Sequence, residues 1–84
     1  ELGVQINCVK FSPDSKYLAV GARYRNPHLY EVETGILVRE FEGLDFTWAL
    51  DFNNDGTLLA AGGEKNEVLL FKVATGLLDK TYKN

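Results

Sequence analysis

The stretch VKFSPDSKYLAVGARYRNPHLYEV, residues 9–32, recurs 41 positions later as LDFNNDGTLLAAGGEKNEVLLFKV, residues 50–73. The pairing runs without a gap from residues 7–41 to residues 48–82, a register too long to be accidental. A period of about 40 residues with strand-like content is typical of folds that repeat one supersecondary unit. The identical pairs are Phe11 and Phe52, Asp14 and Asp55, Leu18 and Leu59, Ala19 and Ala60, Gly21 and Gly62, Leu29 and Leu70, Val32 and Val73, Thr34 and Thr75, Gly35 and Gly76, and Leu37 and Leu78.

Each copy contains four short apolar runs separated by turn signals. Apolar residues alternate in residues 6–11 and 48–52, and a period of two predicts strands. Residues 17–22 and 58–63 are apolar on both faces, which predicts strands buried on both sides. No stretch has a helical period, so we expect an all-β chain of two four-stranded antiparallel sheets. The other predicted strands are residues 29–32, 36–41, 68–73 and 77–82.

Turn residues separate these runs at matched positions of the two copies. Asp14 and Asp55 occupy the same point of the first turn, where an aspartate side chain bonds nearby backbone, so we expect both to cap the turn. Gly35 and Gly76 stand between the third and fourth runs, where a tight turn needs a left-handed residue. Pro27 should be the first residue of its strand, where a missing N–H is tolerated.

Composition limits the classes of function. The 84 residues carry a net charge of −3, so binding to nucleic-acid phosphates has no electrostatic basis and we expect no nucleic-acid partner. No segment approaches the roughly 20 apolar residues of a membrane span, so no membrane partner is expected. Cys8 is the only cysteine, which excludes an internal disulfide and fits an intracellular, cytoplasmic location.

The motifs of the two copies resemble those of the WD-repeat family of β-propellers. VKFSPDSKYLAVG (9–21) and LDFNNDGTLLAAG (50–62) match one part of the family repeat. LYEVETG (29–35) and LFKVATG (70–76) match the part that carries the family's Trp-Asp dipeptide. The resemblance spans nearly the whole chain. It implies two propeller blades, the first formed by residues 1–43 and the second by residues 44–84.

The copies depart from the family pattern where its polar network lies. Tyr30-Glu31 and Phe71-Lys72 stand in place of the Trp-Asp dipeptide, and Gly43-Leu44 stands in place of the usual Gly-His. The family's buried hydrogen-bond network therefore cannot form, and we expect divergent blades held by apolar packing. Ser-Pro-Asp-Ser followed by Leu-Ala-Val-Gly is also similar to the echinoderm microtubule-associated-protein branch of the family.

Two blades are too few to close a propeller, which needs roughly four to eight. One expectation is that the chain is a fragment of a longer WD-repeat protein. The alternative is a homo-oligomer, in which three or four copies close a ring. The sequence leaves both open.

No catalytic constellation is found in the sequence, so we expect no enzyme activity, cofactor or metal. His28 is the only histidine, and we expect it to be a half-exposed structural residue. Cys8 should be a small buried residue. Ser12 and Ser15 lie where turns favour serine, outside any Gly-x-Ser-x-Gly motif.

Binding candidates come from positions where the two copies differ. The loop Arg23-Tyr24-Arg25 has no counterpart in the second copy, and in a propeller it shares one rim with the loop that leads to Trp48. Arginine with tyrosine and tryptophan is the composition of protein-binding hot spots. The alternative is that the aromatic residues only fill the gap between blades. The candidates are Arg23, Tyr24, Arg25, Phe46, Trp48 and Lys65.

These observations predict a non-catalytic protein-interaction scaffold that presents rim loops to a protein partner, with an acidic peptide bound against Arg23 and Arg25. The alternative function is a self-assembling structural segment, of the kind associated with microtubules.

Overall fold

The computed structural model describes residues 5–44, 46–63 and 66–83, which form eight strands and no helix. The strands make two four-stranded sheets, in which each strand pairs antiparallel with the next along the chain. The predicted all-β architecture is therefore confirmed. The first sheet contains β1 (Ile6–Phe11), β2 (Tyr17–Ala22), β3 (His28–Glu31) and β4 (Leu37–Glu40), and the second contains β5 (Ala49–Phe52), β6 (Leu58–Gly62), β7 (Glu67–Lys72) and β8 (Leu78–Lys83).

The core lies between the two sheets. Strand register aligns Leu50 with Ala61 and Leu59 with Phe71, so alternate residues of the second sheet share its inner face. Leu59 and Phe71 are completely buried, and the Phe71 ring lies 5.2 Å from the ring of Phe41, which follows β4. Burial of several such side chains, at about 2 kcal/mol each, holds the two sheets together.

The outer face of each sheet remains partly open, which corrects one prediction. We expected β2 and β6 to be buried on both sides, but Leu18 and Val20 in β2 are only partly buried. Their cross-strand partners Phe11 and Val9 are 60% and 52% exposed. Only the face toward the other sheet is covered, because the chain supplies one neighbour to each sheet.

The segment that joins the sheets is held at its start by the side chain of Asn26. Its Oδ1 atom accepts hydrogen bonds from the backbone N–H groups of Gly43, at 3.2 Å, and Leu44, at 3.1 Å. Its Nδ2 atom donates to Glu40 at 3.0 Å. Gly43 has a φ of +129°, which favours glycine. Asn26 therefore sets the path of the chain from β4 to β5.

Thr47 fills the gap between the inner strands. It is completely buried, and its backbone N–H donates to the carbonyl of Ala22 in the first sheet. A Cβ on Gly21 would lie only 2.5 Å from the Thr47 methyl carbon and 2.9 Å from the Cys8 sulfur. The close approach of the sheets at this point thus requires glycine at position 21.

The first turn of each sheet is capped as predicted. Asp14 accepts hydrogen bonds from the Ser12 hydroxyl, at 2.6 Å, and from the Lys16 N–H. Asp55 accepts from both the hydroxyl and the N–H of Thr57. These bonds hold the pKa of each aspartate below its ordinary value, the side-chain bond having the larger effect.

Three smaller expectations are changed. His28 is buried, with 7% of its surface exposed, so the half-exposed prediction was wrong; its Nδ1–H donates to the Asn26 carbonyl at 2.7 Å. Cys8 is only partly buried, although burial still raises the pKa of its thiol. Pro27 precedes β3 rather than beginning it, and its carbonyl accepts a bond from Phe41 N–H.

Candidate protein-interaction surface

Four of the predicted site residues form one continuous stack, which we call the rim stack: Arg23, Tyr24, Phe46 and Trp48. Arg23 and Tyr24 lie between β2 and β3, whereas the other two lie between β4 and β5. The ring centroids of Tyr24 and Phe46 are 4.7 Å apart, tilted at 57°. Those of Phe46 and Trp48 are 6.2 Å apart and nearly parallel, at 13°. Residues more than 20 positions apart thus meet on one surface.

The cation of the rim stack lies over its aromatic part. The guanidinium carbon of Arg23 is 5.0 Å from the Tyr24 ring centroid and 5.8 Å from that of Phe46. Both distances lie within the roughly 6 Å range of a cation–π interaction. Such contacts restrain a flexible arginine, so less conformational entropy is lost when a partner binds it.

The aromatic side chains of the rim stack remain accessible. Tyr24 is 62% exposed and Trp48 is 50% exposed. Thr47, and not Trp48, is the completely buried residue between these two sheets. That the aromatic residues fill a gap between blades stays the alternative prediction. Half-exposed tyrosine and tryptophan offer apolar area together with a polar group, a combination enriched at protein interfaces.

Tyr24 adopts an unusual backbone conformation, with a φ of +63°. A bulky residue in this region costs of order 1 kcal/mol and persists where the surroundings determine it. Here the loop must turn sharply between β2 and β3, and its Tyr24 ring packs against Phe46. The strained conformation directs the ring toward the second sheet's loop.

Backbone bonds from both sheets support the rim stack. The Arg23 N–H donates to the Gln5 carbonyl at 2.9 Å, and the Trp48 N–H donates to the Gly62 carbonyl at 2.8 Å. A Cβ on Gly63 would collide with the Phe46 carbonyl oxygen, so glycine allows this segment to lie close to β6. The surface is therefore built jointly by the two halves of the chain.

The other two predicted site residues have different outcomes. Arg25 is exposed in the same loop, and its carbonyl accepts a bond from the Thr47 hydroxyl at 3.4 Å. Lys65 lies outside the described residues, so its candidacy stays a prediction.

The sequence did not indicate two residues that shape this surface, Asn26 and Thr47. Both differ from the residues at the matching positions of the other repeat, since Asn26 corresponds to Glu67 and Thr47 corresponds to Ile6. This difference was the only signal in the sequence. Packing between sheets decided their roles, and no period or turn motif reports such packing.

The described residues contain no group of three or more histidine, cysteine, aspartate or glutamate side chains that could hold a metal ion. They also contain no helix that could span a membrane.

Two adjoining four-stranded antiparallel sheets whose loops form a shared surface define a segment of a β-propeller. The family model described as "WD domain, G-beta repeat" matches residues 3–30 and 35–72, so the chain belongs to the WD40 repeat family. The resemblance of the sequence motifs is thereby confirmed.

The family match runs one strand out of phase with the sheets. Its second segment, residues 35–72, takes β4 from the first sheet and β5 to β7 from the second. The segment fixed by Asn26 thus lies inside a family repeat. The predicted domain boundary between residues 43 and 44 falls within this same segment and stays a prediction.

Known proteins similar to this chain are much longer than it. U3 small nucleolar RNA-associated protein 13 of Saccharomyces cerevisiae is 25% identical over 79 residues, which are 94% of this chain and 10% of that protein. The solved RRP9 WD40 repeats have a TM-score of 0.92 at 18% identity, over all of this chain and 27% of that chain. U3-55K has a TM-score of 0.91 at 16% identity, over all of this chain and 28% of that chain.

A third solved structure, the β-propeller domain of Myceliophteria thermophila Cps50 (Swd1), has a TM-score of 0.88 at 20% identity. The match covers 95% of this chain and 26% of the solved chain. At these identities the solved structures establish the fold alone. This chain spans a tenth of the yeast relative and about a quarter of each solved chain.

Proposed function

We infer that this chain is a non-catalytic scaffold that binds a protein partner through the rim stack. The proposal rests on the rim stack itself. Arg23 lies at one end of this exposed row of stacked side chains and Trp48 lies at the other, and the two residues come from different loops. The WD40 propeller fold is used to bind many unrelated partners. The binding function must therefore be argued from the surface of this chain.

The physical properties of the rim stack favour a protein partner with both acidic and apolar groups. Arg23 offers a restrained cation to a carboxylate, and Trp48 offers a large rigid apolar area. Arg25 is a second exposed arginine of the same loop. We therefore expect a partner segment that places an aspartate or glutamate beside the arginines and an apolar side chain against Trp48.

The test is affinity capture from cell extract with quantitative mass spectrometry, which compares the wild-type chain with two variants. One carries Arg23→Glu and Arg25→Glu, and the other carries Trp48→Ala. Both variants should lose the same captured protein, because each removes one end of a single surface. Loss of about tenfold or more corresponds to the weight of an interface hot spot.

The matched control carries Lys10→Glu and Lys16→Glu, which change the net charge by the same amount at exposed positions. Both lie at or beside the turn between β1 and β2, at the end of the first sheet opposite the rim stack. It should capture the partner as well as the wild type. Unchanged capture by the two rim variants, with folding verified by circular dichroism, would sink the proposal. If the control variant lost the captured protein to the same extent, the effect of the arginine substitutions would be one of net charge alone.

Four related expectations stay predictions. The name of the yeast relative associates that protein with a small nucleolar RNA, so neither a cytoplasmic location nor the lack of a nucleic-acid partner can be transferred from it. The microtubule-associated alternative rests on the sequence motifs alone. Non-catalytic function agrees with the usual role of WD40 propellers as scaffolds.

A further inference from the structure

The two sheets enclose a second feature on the side opposite the rim stack, a cleft of about 640 Å³. The rim stack lies at the loops that follow β2 and β4, whereas the cleft lies at the turns that precede β6 and β8. Both sheets line the cleft, so it exists between two successive blades whatever further blades the assembly has. Its walls include Tyr17, Leu29 and Arg39 from the first sheet and Leu58, Val73 and Ala74 from the second.

Arg39 is the unusual residue of the cleft. Its register partner is the buried Leu29, so Arg39 lies on the face of the first sheet that is directed at the second. The Nε atom of Arg39 is buried and has no hydrogen-bond partner among the described residues. A buried N–H without a partner costs about 1–3 kcal/mol, and such groups are rare in proteins.

The lining of the cleft contains no carboxylate that could pair with Arg39. None of the residues that line the cleft is acidic, although the chain has a net charge of −3. Among the described residues one ion pair is found, between Lys72 and Asp79 at 3.9 Å, and Asp79 thus partly balances the cleft's other cation. The uncompensated positive charge of the cleft therefore belongs to Arg39.

Arg39 is held in place by the turn between β7 and β8. A Cβ on Gly76 would lie 3.3 Å from the Arg39 Cδ atom and 3.7 Å from its Nη1 atom, so the side chain crosses from the first sheet to this turn. Gly76 itself has a φ of +79°, which favours glycine. Packing between two sheets orients the guanidinium before any ligand arrives.

We propose that this cleft binds the carboxylate side chain of a partner peptide. Arg39 pairs with the carboxylate, and an aliphatic side chain of the peptide packs against the apolar wall. A carboxylate matches the planar donor set of a guanidinium and balances the charge of Arg39. Tyr17, Val38 and Leu58 provide the accessible apolar wall. The site is separate from the rim stack, so it does not depend on the function proposed above.

The test uses two capped peptides, Ser-Leu-Glu-Val-Ser and Ser-Leu-Gln-Val-Ser, which differ only in the carboxylate. Binding to the full chain is followed by NMR, through the Nε–H resonance of Arg39 and the backbone amides of Ala74 and Thr75. The glutamate peptide should shift all three signals in a saturable way, and the glutamine peptide should bind at least tenfold more weakly. Arg39→Gln should weaken the glutamate peptide by at least tenfold.

A second variant guards against misfolding of Arg39→Gln. Ala74 is exposed at the mouth of the cleft, so Ala74→Glu leaves the core intact and places a competing carboxylate beside Arg39. It should weaken the glutamate peptide at least tenfold, whereas the neutral control Ala74→Gln should bind it as the wild type does. Trp48→Ala should leave binding of this peptide unchanged.

Four outcomes would overturn the proposal. They are equal binding of both peptides, an unmoved Arg39 resonance, sensitivity of the peptide to Trp48→Ala, and saturable binding of inorganic phosphate without binding of the glutamate peptide. The last would make the cleft a site for free anions instead of a peptide site.

Discussion

At the scale of single residues, Gly21 and Gly62 show how the same position acquires different roles in the two repeats. They are matched glycines of β2 and β6. A Cβ on Gly21 would collide with Thr47 and Cys8, whereas a Cβ on Gly62 would meet nothing within 4 Å. The difference arises because the second sheet covers the inner strands of the first, while this chain supplies no third sheet to cover the second.

Gly21→Ala should therefore lower the free energy of unfolding by about 1–3 kcal/mol, the usual cost of overpacking a core. Gly62→Ala is the matched control and should be neutral within about 0.5 kcal/mol, or slightly stabilising because it reduces the freedom of the unfolded chain. Urea unfolding followed by circular dichroism measures both. A tolerated Gly21→Ala would contradict the close packing of Thr47 between the sheets.

Asp14 and Asp55 should make stability depend on pH at the acid end. Because hydrogen bonds lower the pKa of both folded carboxyls below the ordinary 3.8, their contribution is complete above that value. It is lost as the pH falls through the lower folded pKa. Replacement of both by asparagine should therefore flatten the loss of stability below about pH 4.

The measurement is the free energy of unfolding between about pH 2 and pH 6 for the wild type and the double variant. Asp51→Asn, an exposed position outside both turns, serves as the control for loss of charge. An unchanged acid slope in the double variant would mean that the two turn caps do not contribute.

At the scale of elements, the sheets are joined by a segment whose path depends on Asn26. Its side chain makes three hydrogen bonds, two to the backbone after Phe41 and one to Glu40. The amide oxygen of Asn26 accepts two backbone hydrogen bonds, which replace the regular strand pairing that this segment lacks. The orientation of the second sheet against the first is thus set partly by one asparagine.

Asn26→Ala should lower the free energy of unfolding by about 1–2 kcal/mol, because the N–H groups of Gly43 and Leu44 would lose their acceptor. Asn66→Ala, at an exposed asparagine just before β7, should change it by less than about 0.5 kcal/mol. Chemical denaturation measures both variants. Equal effects would refute the special role of Asn26.

The elements themselves could be predicted from the sequence, because alternation and turn residues are local signals. β1 and β2 begin and end at the predicted residues, and the ends of the other strands differ from the prediction by at most one position. That the loop of Arg23 and the segment of Trp48 share one surface could be anticipated from the propeller resemblance. The burial of His28 and the isolation of Arg39 Nε could not, because they depend on side chains from two sheets at once.

At the scale of the whole molecule, each sheet has one covered face and one open face. Val9, Phe11, Val68 and Tyr82 are among the exposed apolar side chains of the open faces. Apolar surface of this kind normally marks an interface. The chain therefore has the form of two neighbouring blades whose outer faces fit further blades.

Native mass spectrometry of the 84-residue chain separates the two sources of those blades. If they belong to a longer protein, the chain alone should give monomers with non-specific aggregates. Ring closure by copies of this chain should instead give a discrete trimer or tetramer. We expect the first result, and a discrete ring would contradict it.

The most direct test of the account is a double-mutant cycle between Arg23 and Trp48, measured as the dissociation constant of the captured partner by titration calorimetry. Because the rim stack joins the two residues through Tyr24 and Phe46, Arg23→Ala and Trp48→Ala should be coupled by at least about 0.5 kcal/mol. The double variant should then lose less binding free energy than the sum of the two single losses. Fully additive effects, or single variants that bind as the wild type does, would contradict a binding surface built jointly by the two blades.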